Sequence, residues 1–505
     1  MTWSPSNPPK RGGSYARFLV QSRVALPKST KGVVAMPIVH DWGPVNTFVT
    51  LGSLDEFVGA FGQGGDPTNL VYTPGYIAAY NAFKGAGADD PGAATLITYR
   101  MASGGAQASV TISNTTPAPA LRVRGIWQGT RGNAIGWAVQ TTPSDPTNSH
   151  DFVVYVDGVE AERYTYAKTN IQSLADKVNA TPGAGGSGWI VMDGPGGAAI
   201  VTGTALATSS RANLTGGADG ITGLTPTDWT NMRTAFEAQT FEVFVPFDLT
   251  DSSIQTAMTS WAQLENAPVA AGARSKRFTY CMGGAAGETI TTAVTRSAIN
   301  DPNVVNLGVG TYFDEALGIN LSTSQLASRM AGVIARRGYG SSIFCTHLDD
   351  LSIVVGPSDA DQLTALNSGV VTLGRDSIGV RFESQVTTYT SDSVGMPKWA
   401  YGTIKYVFTM QAFETRVRLQ QEGGGMIGRL NVNDDTRETL VGNAQAILDQ
   451  FVQEGAIQAS GLNGKARVVL STNPPPDPSD DFVGLDWIAG FDRTLNQVRN
   501  SFFLS

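Results

Sequence analysis

Cysteine is nearly missing from this chain: Cys281 and Cys345 are the only two among 505 residues. They lie too far apart for a paired-spacing metal motif, and such scarcity fits a reducing compartment. Histidine is almost as rare, with His40, His150 and His347 alone available as imidazole bases or ligands. Charge is sparse and leans acidic: 35 Lys and Arg stand against 43 Asp and Glu, a formal net charge of -8. Phosphate binding needs clustered cations, and without a long basic run no nucleic-acid partner is expected. No stretch of about 18 apolar residues occurs, nor does an apolar core of signal-peptide length follow Lys10 and Arg11. Secretion by that route and direct membrane insertion are therefore not expected.

What the chain does have is glycine, 58 residues of it, and 41% hydrophobic content. This length implies roughly three or four domains of about 100–200 residues, and the composition suits many tight turns and large buried contact surfaces.

Residues 1–22 carry Pro5, Pro8, Pro9, Gly12 and Gly13 ahead of the strand-like run Tyr15–Val20, and read as an arm with a sticky end. Between Gly32 and Met101, strands are expected at Val33–Met36, Thr47–Leu51 and Thr95–Tyr99, with a helix near Ile77–Phe83. From 107 to 215 alternation dominates: Leu121 and Val123 oppose Arg122 and Arg124, and Ile135, Trp137 and Val139 repeat the pattern. Asp157-Gly158 between two such runs predicts a two-residue hairpin, because both central positions of that turn need positive φ. One helix, capped near Thr169, places Ile171, Leu174 and Val178 on one face. The segment reads as a β-sandwich-like domain.

Helix and strand then alternate from Leu224 to Tyr389. Thr225 and Pro226 start a helix with Trp229, Met232 and Phe236 inward. The strand Phe241–Phe247, a helix bearing Ile254, Met258, Trp261 and Leu264, the strands Arg277–Met282 and Val304–Val309, and a helix through Leu326, Met330, Val333 and Ile334 come after it. Apolar strands between amphipathic helices predict a parallel sheet covered on both faces. Two long helices come next, one sharing Tyr406, Met410, Phe413 and Val417, the other Leu440, Ala444, Ile447, Leu448 and Phe451. After a strand at Ala466–Leu470, PPPDPSDD breaks all regular structure and sets off a second arm. Tyr15, Phe18 and Val20 at one end, and Leu495, Val498, Phe502, Phe503 and Leu504 at the other, are candidate donors to a neighbour's sheet edge. The alternative is that either end folds back on its own body or is disordered. Gly12, Gly13, Gly484 and Gly490 are the candidate hinges.

Three segments imitate ligand sites. Gly461 to Ala466 resembles a phosphate loop but is too short, and Ala466 has no hydroxyl for Mg²⁺. Gly283, Gly284 and Gly287 lack dinucleotide-loop spacing and read as a plain strand-to-helix loop. Cys345, His347, Asp349 and Asp350 match no standard metal spacing. No cofactor or metal is expected.

Four short segments, in order, carry a resemblance: GVVAMPIVHDWGP (32–44), GTRGNAI (129–135), LTGGADG (214–220) and LSTSQLASRMAGVIAR (321–336). Together they resemble the tail sheath proteins of contractile phage tails and related injection systems. The resemblance runs from about Gly32 to Leu470 and implies an α/β and α+β multidomain fold. Its parts would be an N-terminal arm (1–22), an inner domain built from 23–106 and 397–485, an inserted β-sandwich (107–215), an inserted subtilisin-like α/β domain (216–396) and a C-terminal arm (486–505). It also implies a helical or stacked-ring homo-oligomer around a tail tube protein, with baseplate and tail terminator partners, in the virion tail after assembly in the host cytoplasm. The proline-rich stretch beyond Leu470 departs from a compact sheath C-terminus. A subtilisin-like domain makes serine hydrolysis worth testing, yet no histidine is followed by Gly-Thr, and neither a Gly-Thr-Ser segment nor a GxSxG elbow exists. The sequence therefore points away from an enzyme, and a static tube or capsid component remains the alternative.

Overall fold

The structure, a computed structural model, describes residues 32–65, 71–266, 278–391, 401–423, 434–461, 464–470, 485–488 and 490–491. The first strands, β1 (Val33–Ile38), β2 (Phe48–Leu51) and β3 (Thr95–Arg100), are joined through α1 (Leu54–Phe61) and α2 (Pro74–Lys84). Each helix starts on a hydroxyl cap, Ser53 or Thr73, and stops at a glycine, Gly62 or Gly85.

A β-rich module is next. β4 (Gln107–Ser113), β5 (Pro119–Gln128), β6 (Gly136–Thr141), β7 (Ser149–Val156) and β8 (Val159–Ala167) precede α3 (Ile171–Val178), β9 (Ile190–Asp193) and β10 (Ser209–Asn213). They form two antiparallel sheets, ordered β4-β5-β9 and β10-β6-β7-β8. Both line one core, with Leu121, Val123 and Met192 from the first and Trp137, Phe152 and Val154 from the second; Ile171 and Leu174 of α3 complete it. The β7–β8 turn has Asp157 at φ 50° and Gly158 at φ 88°, as the dipeptide predicts. The helix cap is Asn170, one residue beyond the expected Thr169, because its side chain accepts from Ser173 N.

Beyond it lie α4 (Pro226–Phe236), β11 (Val243–Phe244), α5 (Ser252–Asn266), β12 (Thr279–Gly283), α6 (Ile290–Ser297), β13 (Val304–Leu307), β14 (Thr311–Asp314), β15 (Ile319–Ser322) and α7 (Thr323–Arg337). After them lie β16 (His347–Leu348), β17 (Leu351–Val355), α8 (Asp359–Asn367), β18 (Val370–Val371), β19 (Leu373–Arg375) and β20 (Val380–Phe382). One seven-stranded sheet, ordered β18-β13-β12-β11-β1-β3-β2, is parallel except for β2. Alternation along β1 serves both faces. Val34, Met36 and Ile38 join α2 and α7 in one core, while Val33 and Ala35 join α4 and α5 in another. The expected separation of 23–106 from 216–396 thus fails at the sheet, since β1 hydrogen-bonds to β11. Pattern reading locates strands but not which distant strand each one pairs with.

On α5, Met258 and Trp261 are buried as expected, whereas Leu264 is 64% exposed and Glu265 is buried instead. At about 100° per residue, position 264 has rotated about 80° off the stripe begun at Ile254.

The C-terminal part contributes α9 (Ile404–Gly423), α10 (Asp434–Gln453), β21 (Ile457–Gln458), β22 (Ser460–Gly461), β23 (Gly464–Lys465), β24 (Arg467–Leu470), β25 (Leu485–Ile488) and β26 (Gly490–Phe491). The Arg416 guanidinium lies 4.7 Å from the Tyr339 ring and 4.8 Å from Phe451, fastening α9 and α10 to the end of α7.

Helix α7 is buried nearly all round, and Gly332 is what lets it approach α2: a Cβ there would stand 2.1 Å from the Ala82 carbonyl oxygen. Gly332→Ala is expected to destabilise the chain by about 1–3 kcal/mol through overpacking, seen as a lower urea midpoint. Gly442→Ala on α10, with no atom within 4 Å of the new Cβ, should be neutral or stabilising by up to about 1 kcal/mol in the same assay.

Candidate functional site

Three of the four segments that carry the resemblance meet at one place, where the chain leaves the large sheet for the β-rich module and returns from it. At its centre is Arg100, the last residue of β3, fully buried. Nε donates to the His40 carbonyl at 2.8 Å, Nη1 to the Gly43 and Gln128 carbonyls at 2.6 and 2.9 Å, and Nη2 to the Asp219 carbonyl at 3.3 Å. One guanidinium therefore holds the HDWG turn, the strand end before GTRGNAI and the LTGGADG loop in register. Burial pulls its pKa down to about 10, with Asp41 and Asp219 opposing, so it stays charged at neutral pH.

The glycines of these segments are close-approach positions. Gly129, at φ 150°, would place a Cβ 1.7 Å from the Asp41 carbonyl oxygen, and Gly217 would place one 2.5 Å from the Gly129 carbonyl oxygen. Asn133 closes the joint by exchanging two hydrogen bonds with the Gly217 backbone, at 2.8 and 3.0 Å. Trp42 then crosses into the β-rich core, 6.3 Å from Trp189 in a stacked arrangement.

The fourth segment supplies a second buried arginine. Arg329 of α7 donates to the Gly85, Ala86 and Asp349 carbonyls, and Nη1 lies 3.7 Å from Asp314 Oδ2. Asp314, also fully buried, receives Lys84 Nζ at 3.3 Å. Burial lowers the Arg329 pKa while Asp314 raises it. Sequence reading passed over both arginines, although each interrupts an apolar run (TLITYRMA, LASRMAGV), the mark of a charge that must be satisfied internally.

No histidine assembles a nucleophile. His40 is fully buried between Phe57 and Phe61, 5.7 and 5.9 Å away, with Nδ1 2.9 Å from Asp41 Oδ1 but out of hydrogen-bonding alignment. His150 lies on β7, buried against Tyr166. His347 pairs with Asp376 at 2.9 Å, and Arg381 shares that carboxylate. Among the described residues none of the three hydrogen-bonds to a serine, threonine or cysteine. Nor do the described residues hold a cluster of three metal-ligating side chains or a helix long and apolar enough to cross a membrane. The Gly283–Gly287 loop is filled by the protein's own anion: Glu288 accepts from Val309 N, Thr323 Oγ1 and the Arg296 guanidinium. The Gly461–Ala466 segment spans the β22–β23 pairing, Ser460 to Lys465 and Gly461 to Gly464.

Of the residues expected in intersubunit arms, Tyr15, Phe18, Val20, Leu495, Val498, Phe502, Phe503 and Leu504 lie outside the described residues, as do the hinges Gly12, Gly13 and Gly484. Gly490, the remaining candidate hinge, pairs with Gln458 in the β21–β26 ladder. β25 pairs along its length with β24. Residues 485–488 and 490–491 are therefore paired with strands of the same chain, so an arm beginning at 486 does not fit them. The prolines after Leu470 predict a break in regular structure, but a break carries no information about where the chain pairs next. Beside this two-stranded sheet is a cleft of about 470 Å³ between α10 and β24, lined by Val441, Gly442, Gln445, Val468 and Leu470. An isolated two-stranded sheet is marginal by itself, and here Gln445 holds the Val468 amide at 2.7 Å.

Arg100→Met is expected to cost about 3–5 kcal/mol, leaving buried carbonyls unanswered, and to raise hydrogen exchange at the Ser103 amide, which bonds to Gly220 O. Burial lowers the pKa of His40 and of His150. The unfolded chain then takes up protons first, so stability is full above about pH 6.5 and falls as pH drops below it, by at most about 1.4 kcal/mol per pH unit for each histidine. His40→Phe should flatten that slope in urea titrations between pH 7 and 5.

No family model matches the chain. It is 26% identical over 242 residues to the phage-like element PBSX protein XkdK of Bacillus subtilis, covering 48% of this chain and 47% of that protein. To the uncharacterized protein YqbK of the same organism it is 27% identical over 250 residues. The chain thus spans about half the length of the curated relatives it matches. Among solved structures, a sheath tail protein from Desulfitobacterium hafniense superimposes with a TM-score of 0.69 at 18% identity, covering 95% of this chain and all of that one. A sheath tail protein from Listeria innocua gives 0.63 at 16% identity, over 91% and 95% of the two chains. The helical sheath of the anti-feeding prophage in its contracted state gives 0.52 at 10% identity, over 98% and 99%. From the HDWG turn through the C-terminal strands, this chain has the fold of the tail sheath proteins.

Proposed function

We propose that this chain is a tail sheath subunit that polymerises around a tail tube and shortens from an extended to a contracted state, driving the tube through a host envelope. The observation that carries this is the superposition of 95% of the chain on a whole sheath tail protein. The reading is of a mechanical and non-enzymatic role, with no cofactor, metal or nucleic acid. In this reading the large-sheet module corresponds to the subtilisin-like domain and the β-rich module to the β-sandwich. The C-terminal helices and their short strands, with residues preceding β1, form the inner part resting on the tube. Baseplate and terminator proteins bound the polymer at its ends, in the virion tail after assembly in the host cytoplasm.

Mechanically, identical subunits in head-to-tail contact make stacked rings or an open helix. Terminal segments 1–22 and 492–505 add as strands to adjoining subunits, keeping the lattice connected while the outer modules exchange one set of contacts for another of lower free energy. The incomplete β24–β25 sheet and its apolar cleft supply an acceptor edge for such a strand. No nucleotide is consumed, because the extended state is held kinetically.

Deleting residues 1–20 should leave folded monomers that no longer polymerise, with unchanged circular dichroism but no hollow tubes in negative stain. Tubes from the truncated chain would overturn the arm assignment. A fluorophosphonate probe should leave the purified protein unlabelled; labelling at one serine would restore the hydrolase reading.

A further inference from the structure

Helix α1 is fastened by two side chains. Of its eight residues, Phe57 and Phe61 alone are buried, and both rings lie against the His40 imidazole. Phe61 also covers the turn that follows His40: a Cβ on Gly43 would stand 2.3 Å from its ring, and the Gly43 carbonyl is one of the oxygens held by Arg100. His40 is 0% exposed, and among the described residues neither ring nitrogen has a hydrogen-bond partner. Such a ring is tolerated while neutral and strongly disfavoured once charged.

The groups around it do not offset a proton. Asp41 is the neighbouring anion, yet its Oδ1 is out of alignment with Nδ1 and its Oδ2 accepts from the Gly65 amide at 3.0 Å. Arg100 on β3 and Arg131 in the turn after β5 are cations that oppose a further positive charge. Helix α2 sets Gly75 against the ring and Tyr76 beside Phe57, and burial raises the Tyr76 pKa, so that phenol stays neutral. On α1, Asp55 is exposed and the Glu56 carboxylate is turned to the Gly52 amide at 2.7 Å. A proton is therefore accommodated by hydrating the ring, and lifting α1 does so with the loss of just two buried side chains. We propose that α1 is an acid-released cover on the joint between the modules: when His40 is protonated, Phe57 and Phe61 leave its ring, Phe61 uncovers the Gly43 turn, and water enters while the seven-stranded sheet stays paired. This goes beyond the sheath reading and holds whether or not the chain polymerises.

The sign follows from the burial that lowers the His40 pKa. The closed form is fully favoured above about pH 6.5, and that advantage is lost as pH falls toward the folded-state value. The test is hydrogen exchange of the full chain from pH 7.5 to 5.5, with protection factors corrected for the intrinsic rate at each pH. The reporters are the Phe57 and Gly62 amides, bonded to the Ser53 and Val58 carbonyls, and the Tyr280 amide of β12, bonded to the Asn303 carbonyl. The α1 amides are expected to be less protected than Tyr280 throughout, and their protection to fall about five- to tenfold across this range. Protection equal to that of Tyr280 at every pH would mean that α1 opens only with the whole chain, and would overturn the proposal. Lower protection that does not change with pH would mean that α1 frays without freeing His40, and would overturn it too. His40→Phe should leave the α1 amides independent of pH; a persisting fall would assign the effect to another group. Should that variant not fold, the comparison of α1 with Tyr280 in the unsubstituted chain decides by itself.

Discussion

The structure depends on burying two arginines among backbone carbonyls. A guanidinium offers five donors in a rigid fork, and a strand end or loop that lacks a ladder partner offers carbonyl oxygens needing donors. Arg100 answers four such oxygens at the joint between modules, and Arg329 answers three between α2, α7 and the turn before β17. Burying a cation costs several kcal/mol, which is recovered only when the acceptors are all in place. The arrangement is therefore close to all-or-none: the loops are ordered if the arginine is seated, and the arginine is seated if the loops are ordered.

This explains why the joint is so rich in glycine. Gly129 and Gly217 let the backbones of the three segments approach nearer than any side chain would allow, and Gly43 leaves room for the Phe61 ring. Trp42, leaving the same turn, carries the large sheet's chain into the β-rich core. The two modules thus share covalent crossings, hydrogen bonds and apolar contacts in one small volume. For a subunit that transmits force, as proposed here, such a joint makes the two modules move together without a flexible connection between them.

At the C-terminal end the design is different. Short two-stranded sheets lean on α10, where Gln445 accepts from the Val468 amide and donates to the Ala466 carbonyl. The seven-stranded sheet, by contrast, is covered on both faces by α2, α4, α5 and α7.

Most elements were legible in the residues. The Asp157-Gly158 turn, the Thr225–Pro226 helix start and the apolar faces of α7 and α10 arise from local chemistry, because φ preferences, caps and periodicity act within a few residues. Likewise the scarcity of histidine and the lack of a nucleophile motif were enough to turn attention from catalysis. Pairing was not legible: that β1 lies between β3 and β11, that β25 returns to β24, and that Gly490 sits in a ladder all depend on partners far away in the chain. The roles of Arg100, Arg329 and Glu288 were hidden for the same reason. A charged residue in an apolar run announces that it needs partners, but which carbonyls or cations answer it is decided only when distant segments are brought together by the collapse of a shared core.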